Sequence, residues 1–299
     1  MPNKKKVITR RDFMRASSCV AMGSLMALPL LGKSSAKETV KSRVVLVREK
    51  DVLDRTGQIR PEVLRAMLDQ ALMALFDAPA PVWAWNHLFK PTDVVGIKSN
   101  VWHYLPTPKP LEEAIQENLL EVGVQEENMD ADDRGILGNP VFERSTALIN
   151  TRPLRTHHWS GLGTLLKNYI MFVSWPFRYH GNACEKLGAI WQLPHVKGKT
   201  RLNILVMLTP LFHGIGPHHF SPKYTWPYCG LIVSTDPVAA DATGARIIQA
   251  KRNAFFGEDR PISPPPLHIA AADTRFGLGN SRTEQIHLIK LGWGKDILI

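Results

Sequence analysis

Residues 151–180 read TRPLRTHHWSGLGTLLKNYIMFVSWPFRYH. Three imidazoles (His157, His158, His180) and one amine (Lys167) fall within 24 residues of otherwise apolar sequence. Such a concentration of titratable nitrogen points to a site. Imidazole titrates near neutrality and can shuttle a proton. A lysine partly desolvated beside Leu165 and Leu166 can serve as nucleophile or anion clamp. The order of elements agrees: a strand tail over 147–152, a turn holding the two histidines, then Gly161 and Gly163 leading into an apolar helix that carries Lys167 and Asn168. Open α/β sheets place ligands at such a strand end and helix start, where backbone N–H groups favour an anion. Taken singly, each histidine reads equally well as a turn residue and Lys167 as a solvent-facing one.

Other residues are expected to converge on this block. Lys98 and Asn100 end a strand predicted over 93–98. Asp241 falls on the inward side of a helix starting at Asp236-Pro237, where it can orient a histidine or Lys167, or form a buried ion pair. The expected catalytic set is His157, His158, Lys167 and Lys98; the expected cofactor-binding set is Asn100, Gly161, Gly163, Asn168, Asp236 and Asp241. A second group, His213, His218 and His219, lies among glycines and suits a transition metal. Asp130, Asp132 and Asp133 are read as a solvated loop, with cation binding as the alternative.

The elements that must position these residues alternate between strand and helix. Apolar runs at 43–47, 93–98, 202–208, 228–234 and 285–291 read as strands. Residues 61–76 repeat apolar positions at helical spacing behind Pro61. Thr107-Pro108 opens a helix that Gly123 ends, and Asp236-Pro237 caps one running to Lys251. The fold class is therefore α/β: a single domain with a mostly parallel central sheet flanked by helices.

The chain has 299 residues and a net charge of +10, but seven basic residues and one acid fall in the first 36. The remainder holds 30 basic against 26 acidic residues, too mild a balance for a nucleic-acid partner. Lys4, Lys5 and Lys6 precede Thr9-Arg10-Arg11-Asp12-Phe13-Met14-Arg15, which matches the twin-arginine export pattern, with Met14 and Arg15 where Leu and Lys are commoner. An apolar run over 19–31 is too short to span a bilayer, and Ser34-Ser35-Ala36 suits cleavage. Residues 1–36 are thus expected to be a twin-arginine signal peptide and 37–299 the mature domain. That domain would be periplasmic, with the export machinery as partner and no stable membrane insertion after cleavage; an uncleaved anchor is the alternative. Only Cys184 and Cys229 remain beyond the signal, and neither forms a Cys-x-x-Cys pair, so no iron–sulfur cluster is expected.

In order, RVVLVREKDVLDRTGQI, LFKPTDVVGIKSN, Thr107-Pro108 with its helix, ALINTRPLRTHHWSGLGTLLKN and STDPVAADATGARII resemble the family known as domain of unknown function 362. Lys167-Asn168 and Asp236-Pro237-Val238-Ala239 are the most distinctive pieces. The chain departs from the family pattern in a shorter segment over 130–142, and in Met207 and Leu208 where an acidic residue usually follows the strand. More distantly, the spacing of His157, Lys167 and His180 is similar to that of the lactate racemase family. That likeness implies Lys167 anchoring a metal-containing nucleotide, His180 ligating its nickel and His157 or His158 as acid–base histidine. The functional expectation is an exported cofactor- or metal-dependent enzyme of redox or isomerase type acting on a small-molecule ligand. The alternative is a non-catalytic periplasmic metal-binding protein.

Overall fold

A computed structural model describes residues 41–214, 216 and 220–299. The expected leader, His218 and His219 lie outside the described residues. The described chain forms an α/β fold on an eight-stranded sheet: β1 (Ser42–Arg48), β2 (Val95–Lys98), β3 (Met129–Asp132), β4 (Ala147–His157), β5 (Gly161–Gly163), β6 (Thr200–Leu211), β7 (Gly230–Ser234) and β8 (Ile286–Gly292). Along the sheet the order is β3-β2-β4-β6-β7-β1-β8, with β5 paired to β4. The pairs β3/β2, β2/β4, β4/β6 and β1/β8 are parallel; β7 runs antiparallel to both its neighbours.

Helices cover both faces. Val45, Val47, Ile97, Ile149 and Ile204 project to one side, onto α1 (Pro61–Phe76), α2 (Pro81–Leu88) and α3 (Lys109–Val122). In α1, Leu64, Met67, Leu68, Ala71, Leu72 and Leu75 are buried, the stripe that a 3.6-residue period produces. Each buried leucine or methionine among them contributes about 1.5–3 kcal/mol. Helix α3 ends at Gly123, whose φ of 97° permits the left-handed cap that closes onto Leu119 and Leu120 carbonyls. The opposite side carries Leu46, Leu148, Leu205 and Ile232 against the long helix beginning at Pro237 and the segment around Tyr169, Leu187 and Trp191.

Two local expectations change. The apolar helix after Gly163 is one turn only, α4 (Leu165–Asn168), followed by separate 3-10 turns. Pro176 disfavours the α conformation at Trp175, whose φ/ψ of −127°/68° ends any helical path there. Residues 130–133 are not a solvated loop either. Met129–Asp132 forms edge strand β3, and the Asn139 amide donates to Asp130 (2.6 Å) and Asp132 (3.2 Å). Asp133 is thereby turned inward and buried.

Two longer helices follow, α5 (Pro237–Phe256) and α6 (Leu267–Thr274). Cys184 and Cys229 are both free thiols and belong to the cores on opposite sides of the sheet, which separates them.

Candidate functional site

Strand β2 stops at Lys98, opposite Asn150, whereas β4 continues a further seven residues to His157. The flank of β4 beyond Lys98 is therefore open over residues 151–154, until β5 pairs with residues 155–157. A cavity of about 170 Å³ fills this gap, walled by the chain after β2 (Asn100, Trp102), the chain after β3 (Asp133, Arg134), β4 (Arg152, Arg155, His157) and α4 (Lys167, Asn168). It lies at the C-terminal ends of the parallel strands, where open α/β sheets keep their ligands.

The cavity walls are cationic. Arg152 is 4 % exposed, and its buried Nε makes no hydrogen bond among the described residues. Burial lowers its pKa to about 10, opposed by the more distant charges of Asp133 and Asp241; a guanidinium stays protonated regardless. Arg155 donates to the Asn100 side-chain oxygen at 3.0 Å and lies over the Trp102 ring at 4.4 Å. Burial pulls it well below its ordinary pKa, helped by the charge of Arg152. Gly163 has a defined purpose here: a Cβ on it would fall 2.8 Å from an Arg152 terminal nitrogen.

Lys167 is 2 % exposed and its pKa falls to about 7, mainly through burial. Its Nζ lies 2.9 Å from Nε2 of His180. The His180 ring stacks on Trp159 (centroids 3.9 Å) and is held down to about 4 by burial and then by the Lys167 charge. At neutral pH the ammonium therefore donates to a neutral imidazole. His157 is also held neutral, by burial first and then by the Lys167 and Arg152 charges. Its Nδ1 accepts the Trp159 N–H at 3.2 Å, which leaves Nε2 as its donor. His158 stacks on His157 (4.8 Å) without lining the cavity.

Lys98 is fully buried beneath this wall, paired with Asp133 and donating to the Ser99 carbonyl at 2.7 Å. Burial lowers it to about 8, with Asp133 opposing. Asp133 is itself pushed up by burial, but Lys98 and the Val101 N–H (3.0 Å) outweigh that and bring it below the usual range.

Asp241 positions the lysine through the backbone. Thr164, preceding α4, offers no side-chain cap; instead both Asp241 oxygens accept N–H groups, from Leu165 and Leu166, each at 2.9 Å. Burial raises the Asp241 carboxyl to about 7. Asp241 bears on Lys167 by capping the turn that carries it. At the other end of that turn, Asn168 donates to the Asn150 side chain (2.9 Å) and the Thr151 carbonyl (3.0 Å), fastening α4 to β4.

The structure brings His157, Lys167, Asn100 and Asn168 to one cavity, with Lys98 and Asp241 buried in its support. His180 joins them through Lys167, whereas Gly161, Asp236 and His213 serve elsewhere. Gly161 and Gly163 are not a helix-start anion nest but the return strand of a hairpin; a Cβ on Gly161 would fall 2.1 Å from the Pro264 carbonyl oxygen. Asp236 caps its own helix, taking the Val238 and Ala239 N–H groups (2.8 and 2.9 Å), and binds Ser42 and Asn280 through its other oxygen. His213 packs against Tyr224 and Phe256, and its Nδ1 faces Arg252 at 3.1 Å. Among the described residues no group of three or more His, Cys, Asp or Glu is placed to hold a metal ion.

Sequence reading misses Arg152, Arg155, Trp102 and the inward turn of Asp133. The signal for the arginines is nonetheless present: two cations, three apart, within a strand that is buried along its whole length.

A metal-containing nucleotide anchored on Lys167 does not fit this arrangement. The anchoring amine and the ligating imidazole are engaged with each other. The cavity of about 170 Å³ is also smaller than the roughly 300–1,000 Å³ of pockets that enclose drug-sized ligands.

The model of the family described as "Domain of unknown function (DUF362)" matches residues 55–246, and the chain belongs to that family. The match takes in every cavity residue named above. No curated protein and no solved structure matches the chain.

Proposed function

We propose that this protein is an enzyme acting on a small anionic substrate, with Arg152 and Arg155 as the anion clamp and the Lys167–His180 pair as the proton-exchanging group. The observation that carries this reading is Arg152, a buried cation on the cavity wall whose Nε makes no hydrogen bond among the described residues. A buried charge without compensation costs several kcal/mol. Among the described residues, five cations, Lys98, Arg134, Arg152, Arg155 and Lys167, outnumber the three acids near them, Asp132, Asp133 and Asp241, and Lys98 already occupies Asp133. A bound phosphate or carboxylate supplies the missing negative charge, and guanidinium geometry suits either. Between Lys167 and a neutral His180, a proton can pass without creating a second buried charge. The metal-carrier alternative has less support, since His213 is engaged by Arg252.

Calorimetric titration with inorganic phosphate and with a small carboxylate tests the clamp. Saturable binding that weakens at least tenfold in a folded Arg152→Met variant is expected. Equal affinity in both proteins sinks the reading.

Export through the twin-arginine route to the periplasm is proposed on the pattern at residues 9–15. Changing Arg10 and Arg11 to Lys should retain the protein in the cytoplasm on fractionation; undiminished periplasmic appearance refutes it.

A further inference from the structure

Resting on the anion-clamp reading, we infer that Lys167 forms an imine with the carbonyl carbon of a small oxo acid whose carboxylate is held by Arg152 and Arg155. The cavity offers two different kinds of cation. Arg152 and Arg155 are permanent charges, suited to a group that stays ionised. Lys167 is a desolvated amine whose hydrogen-bonding partner among the described residues is an imidazole nitrogen rather than a carboxylate. Lys98, in the same part of the molecule, shows the other arrangement: its ammonium is matched to Asp133 and its charge is fixed by that pairing. A lysine that served only as an anion clamp would gain nothing from facing a base. One that must lose its protons and attack carbon would.

The surroundings supply what imine formation needs. Burial holds the Lys167 amine near pKa 7, so a large share is neutral and nucleophilic at pH 7. The neutral Nζ attacks the carbonyl carbon, forming the C–N bond while the carbonyl π pair moves to oxygen. His180 receives a proton from nitrogen and returns it to that oxygen. The carbinolamine then expels water, which carries away both protons the amine has lost, so no oxidant or reductant is consumed. An imine nitrogen that regains a proton withdraws electrons from the adjacent carbon, and neutral His157, on the same wall, has its Nε2–H available as a hydrogen-bond donor to the substrate. The cavity volume of about 170 Å³ restricts the substrate to a few carbons, with carboxylate and carbonyl close together. The substrate class is therefore a short-chain oxo acid, such as pyruvate or glyoxylate.

Borohydride trapping tests this on the unaltered protein. Incubation with pyruvate followed by sodium borohydride should add the mass of pyruvate less one oxygen to the peptide carrying Lys167, read by mass spectrometry. Excess propionate, which has the carboxylate but no carbonyl, should lower that yield at least fivefold by occupying the arginines. Calorimetry of pyruvate binding, run in parallel, separates imine formation from anion binding. Pyruvate that binds in an Arg152-dependent way but is never trapped on Lys167 overturns the imine and leaves the anion clamp standing. Pyruvate that neither binds nor is trapped overturns both. Trapping spread equally over surface lysines such as Lys109 and Lys251, undiminished by propionate, likewise overturns the imine.

Discussion

The two corners of the cavity handle buried positive charge in opposite ways. At the end of β2, Lys98 meets Asp133, and the second oxygen of Asp133 takes the Val101 N–H, so the corner is closed and the chain leaving β2 is held to it. On β4 and α4, among the described residues, the Arg152 Nε makes no hydrogen bond and Lys167 meets only a neutral imidazole. Both corners are buried. Burial of a charge is thus no guide to function by itself; the presence or absence of the matching charge is what separates scaffold from site. The closed corner determines where the cavity wall stands, and the open one determines what enters.

The largest effect should come from opening the closed corner. Asp133→Asn keeps a hydrogen-bond acceptor near Lys98 but removes the compensating charge. Stability should fall by about 3–5 kcal/mol, as when one partner of a buried ion pair is lost, measured by urea unfolding. Adding Lys98→Met should recover much of that loss, because an apolar side chain then replaces the orphaned cation. An Asp133→Asn protein as stable as the wild type, yet unable to bind phosphate, would reverse the comparison and move Asp133 into the site.

The open corner should announce itself in pH dependence. Lys167 titrates near 7 in the folded protein against an ordinary value of 10.5. Between those values the unfolded chain binds more protons than the folded one, so stability rises with pH across that window. Below about pH 7 the folded protein carries the full cost of the buried ammonium. Lys167→Met should remove this contribution, making the variant more stable than wild type at pH 7 by on the order of a few kcal/mol and shrinking the difference by pH 9. Lys98 contributes a slope of the same sign from about 8 upward, so the comparison of wild type with the variant isolates Lys167. Parallel stability curves for the two proteins would show that the amine is not desolvated.

Much of the scaffold is legible in the sequence, because its signals are local. Helices α1, α3 and α5 declare themselves by spacing and by Pro61, Gly123 and Asp236 at their ends. His157 and Lys167 can be expected at one strand end from their order alone. What is not legible depends on partners distant in sequence. Asp133 turns inward because Asn139 holds its neighbours and Lys98 receives it. Gly163 looks like a helix leader until Arg152 is seen to pass across it. Arg152 and Arg155 are obscured by strand alternation, which sends residues three apart to opposite faces. Here β2 ends early, and the register of β4 against β6 breaks between Pro153 and Arg155, so both side chains reach one cavity.

The smallest predicted effect is the control that the comparison requires. Asp236 is the carboxylate of the distinctive Asp-Pro-Val-Ala stretch and is expected from sequence to contribute to ligand binding, yet all its bonds are structural. One oxygen takes the two N–H groups that open α5; the other binds Ser42 at the start of β1 and the Asn280 N–H near the C-terminus. Loss of a helix N-cap costs about 1 kcal/mol, and the two further contacts raise the expectation for Asp236→Ala to about 2 kcal/mol. Because none of these partners touches the cavity, the affinity for phosphate should stay within about twofold of wild type, a difference worth less than RT ln 10. Urea unfolding and calorimetry on the same preparation read both quantities. A variant that keeps its stability but loses phosphate would place Asp236 among the binding residues, and the division between matched scaffold charges and unmatched site charges would fail where it is easiest to check.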